Sequence, residues 1–163
     1  MTMSVEVDFL LPRQIDRREE DALRLLADKA VSLVLDMEGR SRQMYEVSVL
    51  YTDDSFISEL NDQYRGEKNA TDVLSFPMMS PEEMDIASGF PDVLGDIVIS
   101  LDTAGRQAEE RGVSLREEVG LLLIHGCLHL LGYDHDDPTG EAIMWQKQET
   151  ALNLLKKAER GGM

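Results

Sequence analysis

The sequence has one cysteine, few cations and no long apolar run, and each shortage excludes a class of protein. The single cysteine, Cys127, excludes an internal disulfide, so a cytoplasmic protein is expected. The longest apolar stretch, residues 120–131, contains two histidines and is shorter than the roughly 18 apolar residues of a membrane span. Residues 1–10 alternate polar and apolar side chains and lack the basic-then-apolar order of a secretory signal. No membrane association is expected.

Positive charge is scarce as well. The chain has 16 lysines and arginines against 32 aspartates and glutamates, which gives a formal charge of −16. Such a surface repels nucleic acids and anionic membranes, so a polyanionic substrate would need a local cation or a metal ion. Solubility is the simplest interpretation of the charge. With 42% hydrophobic residues among 163, the chain can bury an ordinary core, and a single domain over residues 1–163 is expected.

The periodicity of apolar residues predicts about four strands and five helices, mixed along the chain. Alternating or continuous apolar runs predict strands at residues 4–9, 45–51, 73–76 and 97–99. Helical spacing and capping residues predict helices that begin at or just after Asp16, Asp54, Ser100, Ser114 and Asp137. The last of these carries Trp145, Leu152 and Leu155, whereas residues 78–91 are expected to form an exposed excursion. One sheet covered by helices would bury these faces.

All three histidines of the chain fall within residues 125–135. His125 and His129 are four residues apart, which places both rings on one face of a helix, where they can share a metal ion. His135 can join them only if the helix stops, and Gly132 lies where a left-handed helix ending is needed. Three imidazoles favour zinc and leave a fourth position for water, as in catalytic zinc sites.

Other roles for this segment stay open. The histidines would otherwise be hydrogen-bonded core residues, or they would hold a structural metal whose four positions are filled. Cys127 is two residues from His125 and faces another direction, so we interpret it as core packing rather than as a ligand. Asp134 is a candidate partner for a histidine N–H group, behind the metal ligands.

The spacing H-x3-H-x5-H, with glycine between the last two histidines, is that of metzincin metalloproteases, with one difference. Those enzymes carry a glutamate directly after the first histidine as general base. Gly126 occupies that position here, and glycine can move no proton. Peptide hydrolysis by that mechanism is therefore disfavoured.

The complete segment 125–135, H-G-C-L-H-L-L-G-Y-D-H, resembles the signature H-G-x-L-H-L-x-G-Y-D-H of the bacterial YbeY family. Three further segments support the resemblance. Residues 60–65 are similar to the family's L-N-x-x-Y-R pattern, residues 71–77 to T-D-V-L-S-F-P, and residues 94–97 to L-G-D-I. The matches follow the family's order over most of the chain, and Ala70 is a minor departure where the family usually has proline.

The resemblance implies an α+β fold with a small mixed sheet under helices and a metal-bearing cleft at the end of a helix. It implies a zinc-dependent endoribonuclease that matures the 3′ end of small-subunit ribosomal RNA and acts in ribosome quality control. One Zn²⁺ ion per chain is expected, with His125, His129 and His135 as its ligands. Arg65 matches the family's functional arginine. Single-stranded or ribosomal RNA and the ribosome or its proteins are the expected partners.

The side chain of Arg65 suits a phosphodiester substrate, because a guanidinium can bond two phosphate oxygens at once. A surface salt bridge is the alternative role. Lys68, in the following loop, is a candidate phosphate contact. Ser75 and Asp96 are candidates to support the site, although strand packing or capping would explain them equally well.

Two rival functions remain at the level of sequence. One is a ribosome-associated binding factor whose zinc is not catalytic, which the acidic charge and the missing base favour. The other is a metal-dependent hydrolase of a different substrate, such as a small phosphoester or an amide.

Overall fold

The computed structural model describes residues 4–40, 45–84 and 92–161, and the elements below lie within them. There are four strands and six helices. In chain order they are β1 (Ser4–Leu10), α1 (Arg17–Met37), β2 (Tyr45–Thr52), α2 (Asp54–Arg65), β3 (Val73–Pro77), α3 (Pro81–Met84), β4 (Asp92–Ser100), α4 (Leu101–Arg111), α5 (Leu115–Leu130) and α6 (Pro138–Gly161). Among these helices none has the length and apolar character to cross a membrane.

The four strands form one mixed sheet in the order β1-β2-β4-β3. β1, β2 and β4 run parallel, and β3 pairs antiparallel with β4. The predicted α+β fold with a small mixed four-stranded sheet is therefore confirmed. The arrangement places β3, which carries the T-D-V-L-S-F-P segment, at one edge of the sheet.

The two faces of the sheet bury different sets of side chains. Helices α1, α5 and α6 pack on one face and form the main core with residues such as Val49, Ile97 and Ile99. On the other face Ile57 of α2 packs on Leu74 and Val98 in a smaller cluster. Helix α5 is buried over most of its surface, so it is held from several sides and provides a rigid support for the histidines at its end.

Side-chain caps mark the helix starts, as the sequence predicts, with one shift. The predicted caps Asp16, Ser100, Ser114 and Asp137 each accept a backbone N–H from the first turn of their helix. The N-cap of α2 lies one residue earlier than predicted, because Asp53 rather than Asp54 accepts the N–H of Phe56, at 3.0 Å. Asp54 bonds α4 instead.

The predicted exposed excursion at residues 78–91 is only partly described, and the described part differs from the prediction. Helix α3 lies within it, and Met84 at its end is 5% exposed. The backbone oxygen of Met84 accepts a hydrogen bond from the Tyr45 hydroxyl at 3.0 Å. This segment is therefore joined to the core through Met84, while residues 85–91 lie outside the described part of the chain.

Candidate metal centre

Helix α5, which carries the first two histidines, ends in a turn built on Gly132. Gly132 has φ +100°, a backbone conformation that favours glycine over residues with a β-carbon. Its N–H bonds the carbonyl of His129 at 3.0 Å, and the N–H of Tyr133 bonds the carbonyl of Leu128 at 3.1 Å. This pair of bonds is the Schellman ending of a helix. The stop predicted at Gly132 is confirmed, and the chain turns back with His135.

The three histidines come together at this turn. One ligand atom from each of His125, His129 and His135 lies within 4.8 Å of the others. The Nε2 atoms of His125 and His129 are 3.0 Å apart. Tetrahedral zinc with Zn–N bonds of about 2.0–2.1 Å separates its nitrogen ligands by roughly 3.3 Å, so the donor set fits a zinc ion. No fourth histidine, cysteine or carboxylate joins this group within residues 4–40, 45–84 and 92–161.

The charge state of His129 suits metal binding. Burial of the ring lowers the pKa of His129 to about 4, and the neighbouring His125 and His135 add to the effect. A backbone hydrogen bond to Tyr133 and the charge of Asp134 oppose it. His129 is therefore neutral near pH 7, with a lone pair available for a metal ion.

A partner on α6 fixes the orientation of His125. Nδ1 of His125 is hydrogen-bonded to Oε1 of Gln148, 23 residues later in the chain. An amide oxygen can only accept, so Nδ1 carries the proton and Nε2 keeps the lone pair that points to His129. Sequence reasoning missed Gln148, because nothing in the local pattern relates a glutamine in the middle of α6 to α5.

The structure gives Asp134 a different contact from the one expected. Its carboxylate accepts the backbone N–H of Asp136 at 2.9 Å, and none of the hydrogen bonds described for it joins a histidine ring. The bond closes a small turn around His135. Asp134 therefore shapes the loop that carries the third histidine, while Gln148 has the role that was expected of Asp134.

A second group of contacts, which no local sequence pattern predicts, holds the same loop. The hydroxyl of Tyr133 donates a hydrogen bond to Glu38, the residue that ends α1. The other oxygen of Glu38 accepts from Lys147 Nζ at 2.8 Å, and that ammonium lies 5.1 Å from the centre of the Tyr133 ring. The Glu38 side chain is 10% exposed. The group ties the loop to α1 and α6 at once.

A cavity of about 780 Å³ joins the histidines to Arg65 and Ser75. Arg65 is the last residue of α2, is exposed, and makes no ion pair with a described residue, so the salt-bridge alternative finds no partner there. Ser75 Oγ donates to the carbonyl of Gly126 at 3.1 Å, which joins β3 to α5. The structure thus brings both residues to the cavity.

The other two candidates lie elsewhere. Lys68 is exposed in the loop after α2 and is not among the residues that line the histidine cavity. Asp96 lines a different cavity, which shares Tyr64 and Phe76 with the histidine cavity but contains none of the histidines. The structure therefore does not bring Lys68 or Asp96 to the candidate metal centre.

The packing of Gly126 explains why no base follows the first histidine. A β-carbon added there would lie 2.9 Å from Cγ2 of Ile97 and 3.2 Å from Oγ of Ser75. Position 126 faces the sheet, so a glutamate would push α5 away from β4. Cys127 beside it is fully buried, and burial raises the pKa of its thiol to about 12, in keeping with a packing role.

Comparison with known proteins agrees with these features. Residues 12–156 match the sequence model of the family described as endoribonuclease YbeY. A protein of that name from Desulforamulus reducens is 47% identical over 137 residues, which cover 84% of this chain and 88% of the relative. Another, from Alkaliphilus oremlandii, is 42% identical over 155 residues, which cover 92% of this chain and 100% of the relative. The solution structure of TM1509 from Thermotoga maritima superposes with a TM-score of 0.63 at 26% identity, covering 97% of this chain and 93% of that one.

Proposed function

The chain belongs to the YbeY endoribonuclease family, and we propose that it is a zinc-dependent endoribonuclease that cleaves single-stranded RNA. The observation that carries the proposal is the convergence of three imidazoles in one cavity with Arg65. Its substrate is the 3′ end of small-subunit ribosomal RNA during maturation, with a further role in ribosome quality control. The protein works in the cytoplasm on the ribosome, as one hydrolase domain over residues 1–163 with one zinc ion.

The three histidines would hold the metal ion. A bound zinc ion supplies a Lewis acid and lowers the pKa of a coordinated water molecule. Gln148 keeps the proton of His125 on Nδ1, so that Nε2 is available as a ligand. Burial keeps His129 neutral. Both effects leave an unprotonated ring nitrogen on these two histidines, which is the form that can bind a metal ion.

Arg65 binds the substrate phosphate. It is the only lysine or arginine among the described residues that line the histidine cavity, and three aspartates line it too. On a chain of net charge −16, an RNA strand is attracted to very few places. The guanidinium of Arg65 can bond two phosphate oxygens and offset the negative charge that develops in the transition state.

Catalysis rather than binding alone is favoured by the donor set. Three histidines form the group, and no fourth protein ligand accompanies them in the described ranges. A structural zinc ion would fill its fourth position with a protein ligand, whereas a catalytic one keeps it for water or substrate. This argues against the rival function of a ribosome-bound factor with a non-catalytic metal.

Cleavage of an unstructured RNA by zinc-loaded protein tests the proposal. Replacing His135 by alanine should abolish cleavage, and Arg65→Ala should reduce kcat by roughly 100-fold or more, as the loss of one transition-state donor does. Lys68→Ala is the matched control, because Lys68 is exposed near Arg65 in sequence but lies outside the cavity. Unchanged cleavage by both His135→Ala and Arg65→Ala would overturn the proposal.

A further inference from the structure

A second cavity, of about 580 Å³, adjoins the histidines on the side of α6. Its lining includes His125, His135, Pro138, Glu141, Trp145 and Gln148. His125 and His135 also line the cavity that contains Arg65. The candidate metal centre therefore borders both of these cavities, and Arg65, the proposed phosphate contact, lines only the cavity of about 780 Å³.

The second cavity is lined by Trp145, the only tryptophan of the chain. It is 63% exposed, although its neighbour Met144 is 1% exposed. Pro138 and Trp145 are seven residues apart, two helical turns, and so belong to one face of α6. The sequence pattern predicted Trp145 on the apolar stripe with Leu155, but only Leu155 is buried there. The core thus makes little use of the largest apolar side chain of the protein.

We infer that Trp145 is the stacking platform for an unpaired base of the RNA substrate, next to the phosphate that is cleaved. The inference rests on the proposed function and extends it to a base-binding site. An exposed indole beside a reactive centre provides a flat surface for any base, since every base has a π-face. The cavity volume lies within the usual range for small-molecule sites.

The charge of the second cavity favours a base over a phosphate. Among its described lining residues Glu141 carries a carboxylate, and there is no lysine or arginine. This cavity therefore offers a phosphate no cationic donor, whereas a neutral base needs none. The two cavities thus bind different parts of the nucleotide. Arg65 binds the phosphate on one side of the histidines, and Trp145 stacks on the base on the other.

Intrinsic fluorescence tests the stacking directly, because all tryptophan emission comes from Trp145. Zinc-loaded protein is mixed rapidly with an unstructured RNA of about 12 nucleotides, within the site sizes of single-strand binders, and emission is recorded before cleavage proceeds. Saturable quenching by the single strand is expected. The same RNA annealed to its complement should cause no quenching, because its bases are paired. Unchanged emission with bound single strand would overturn the inference.

Variants then separate stacking from general packing. Trp145→Ala should weaken binding of the single strand by roughly 10-fold, as measured by anisotropy of labelled RNA, while Trp145→Phe keeps most of the affinity. Ile143→Ala is the matched control, since Ile143 is 44% exposed on the same helix but does not line the cavity. Its affinity should equal that of the wild type. Thermal melts establish that each variant is folded.

The outcomes distinguish this inference from the proposed function. If Trp145→Ala binds RNA as tightly as the wild type while His135→Ala abolishes cleavage, the base site is wrong and the endoribonuclease stands. A docking site for a protein segment would give the same unchanged RNA affinity and would equally refute the base site. If His135→Ala and Arg65→Ala cleave normally, the proposed function fails, whatever the fluorescence shows.

Discussion

The side-chain oxygen of Gln148, on the last helix, accepts a hydrogen bond from Nδ1 of His125 on α5. The bond fixes the tautomer and the orientation of the ring. Gln148→Ala should therefore weaken zinc affinity by about 10- to 100-fold, the usual effect of removing such a partner. Competition with a chromophoric chelator measures it. Gln148→Glu keeps an acceptor and should restore most of the affinity, whereas equal zinc affinity in folded Gln148→Ala would exclude this role.

The bond between Tyr133 and Glu38 leads to a second prediction. Tyr133→Phe removes one partner of a nearly buried carboxylate and should lower the free energy of unfolding by about 1–3 kcal/mol, as for other hydrogen bonds to charged groups. Zinc affinity should fall as well, because the loop to His135 loses its attachment to α1. Urea unfolding and chelator competition measure the two effects. A double-mutant cycle with Lys147→Met should show coupling through Glu38, and strictly additive effects would contradict a shared network.

The close contact of Gly126 with Ile97 predicts a marked difference between two glycine substitutions. Gly126→Ala places a β-carbon 2.9 Å from Ile97 and should destabilise the protein by about 1–3 kcal/mol, as overpacking does. Gly105→Ala is the matched control, since Gly105 is also helical and has nothing within 4 Å of the added carbon. That change should stabilise by up to about 1 kcal/mol through helix propensity. Equal effects in urea unfolding would mean that the contact is not tight.

The carboxylate of Asp54 is expected to contribute to the free energy of unfolding in a pH-dependent way. Burial alone would raise its pKa, but hydrogen bonds from Thr103 and Ser100 and the charge of Arg106 lower it below 3.8 overall. Because the folded pKa is depressed, the stabilisation is complete above about pH 5 and is lost as the pH falls through 3.8 and then the folded pKa. Asp54→Asn should cost about 1 kcal/mol at pH 7, since the side chain is partly exposed.

The measurement for Asp54 is urea unfolding of both proteins between neutral and strongly acidic pH. The difference in unfolding free energy between wild type and Asp54→Asn should be constant near neutrality and shrink in acid. A difference that stays constant down to the lowest pH at which both proteins fold would contradict the role of the charge.

The sequence predicted the parts of the structure that depend on neighbours in the chain. The cap at Ser114, the stop at Gly132 and the shared face of His125 and His129 all follow from local rules. The contacts of Gln148 and Glu38 do not, since each joins residues far apart in sequence. Trp145 was assigned to an apolar stripe from its helical spacing alone. Periodicity identifies a helix face, but it does not show which part of that face packs against another element.

Lys68 and Asp96 are two further residues whose position in the fold could not be predicted from the sequence. Lys68 lies in the loop that follows Arg65, and Asp96 lies in the segment that is similar to L-G-D-I. Along a strand, however, successive side chains point to opposite faces of the sheet. Ser75 therefore reaches α5, while Asp96 lines a cavity with Phe76. Proximity in sequence to a site residue says little about which side of a sheet a neighbour occupies.

The contact between Glu38 and Lys147 spans 109 residues, and it has a consequence for how the metal centre forms during folding. The loop with His135 is attached to α1 through Tyr133 and Glu38, and Lys147 of α6 shares the same carboxylate. Because domains fold as units, α1 and α6 must both dock before this attachment of the loop is complete. The metal centre is therefore expected to be a product of the whole folded domain rather than of the histidine-bearing helix alone.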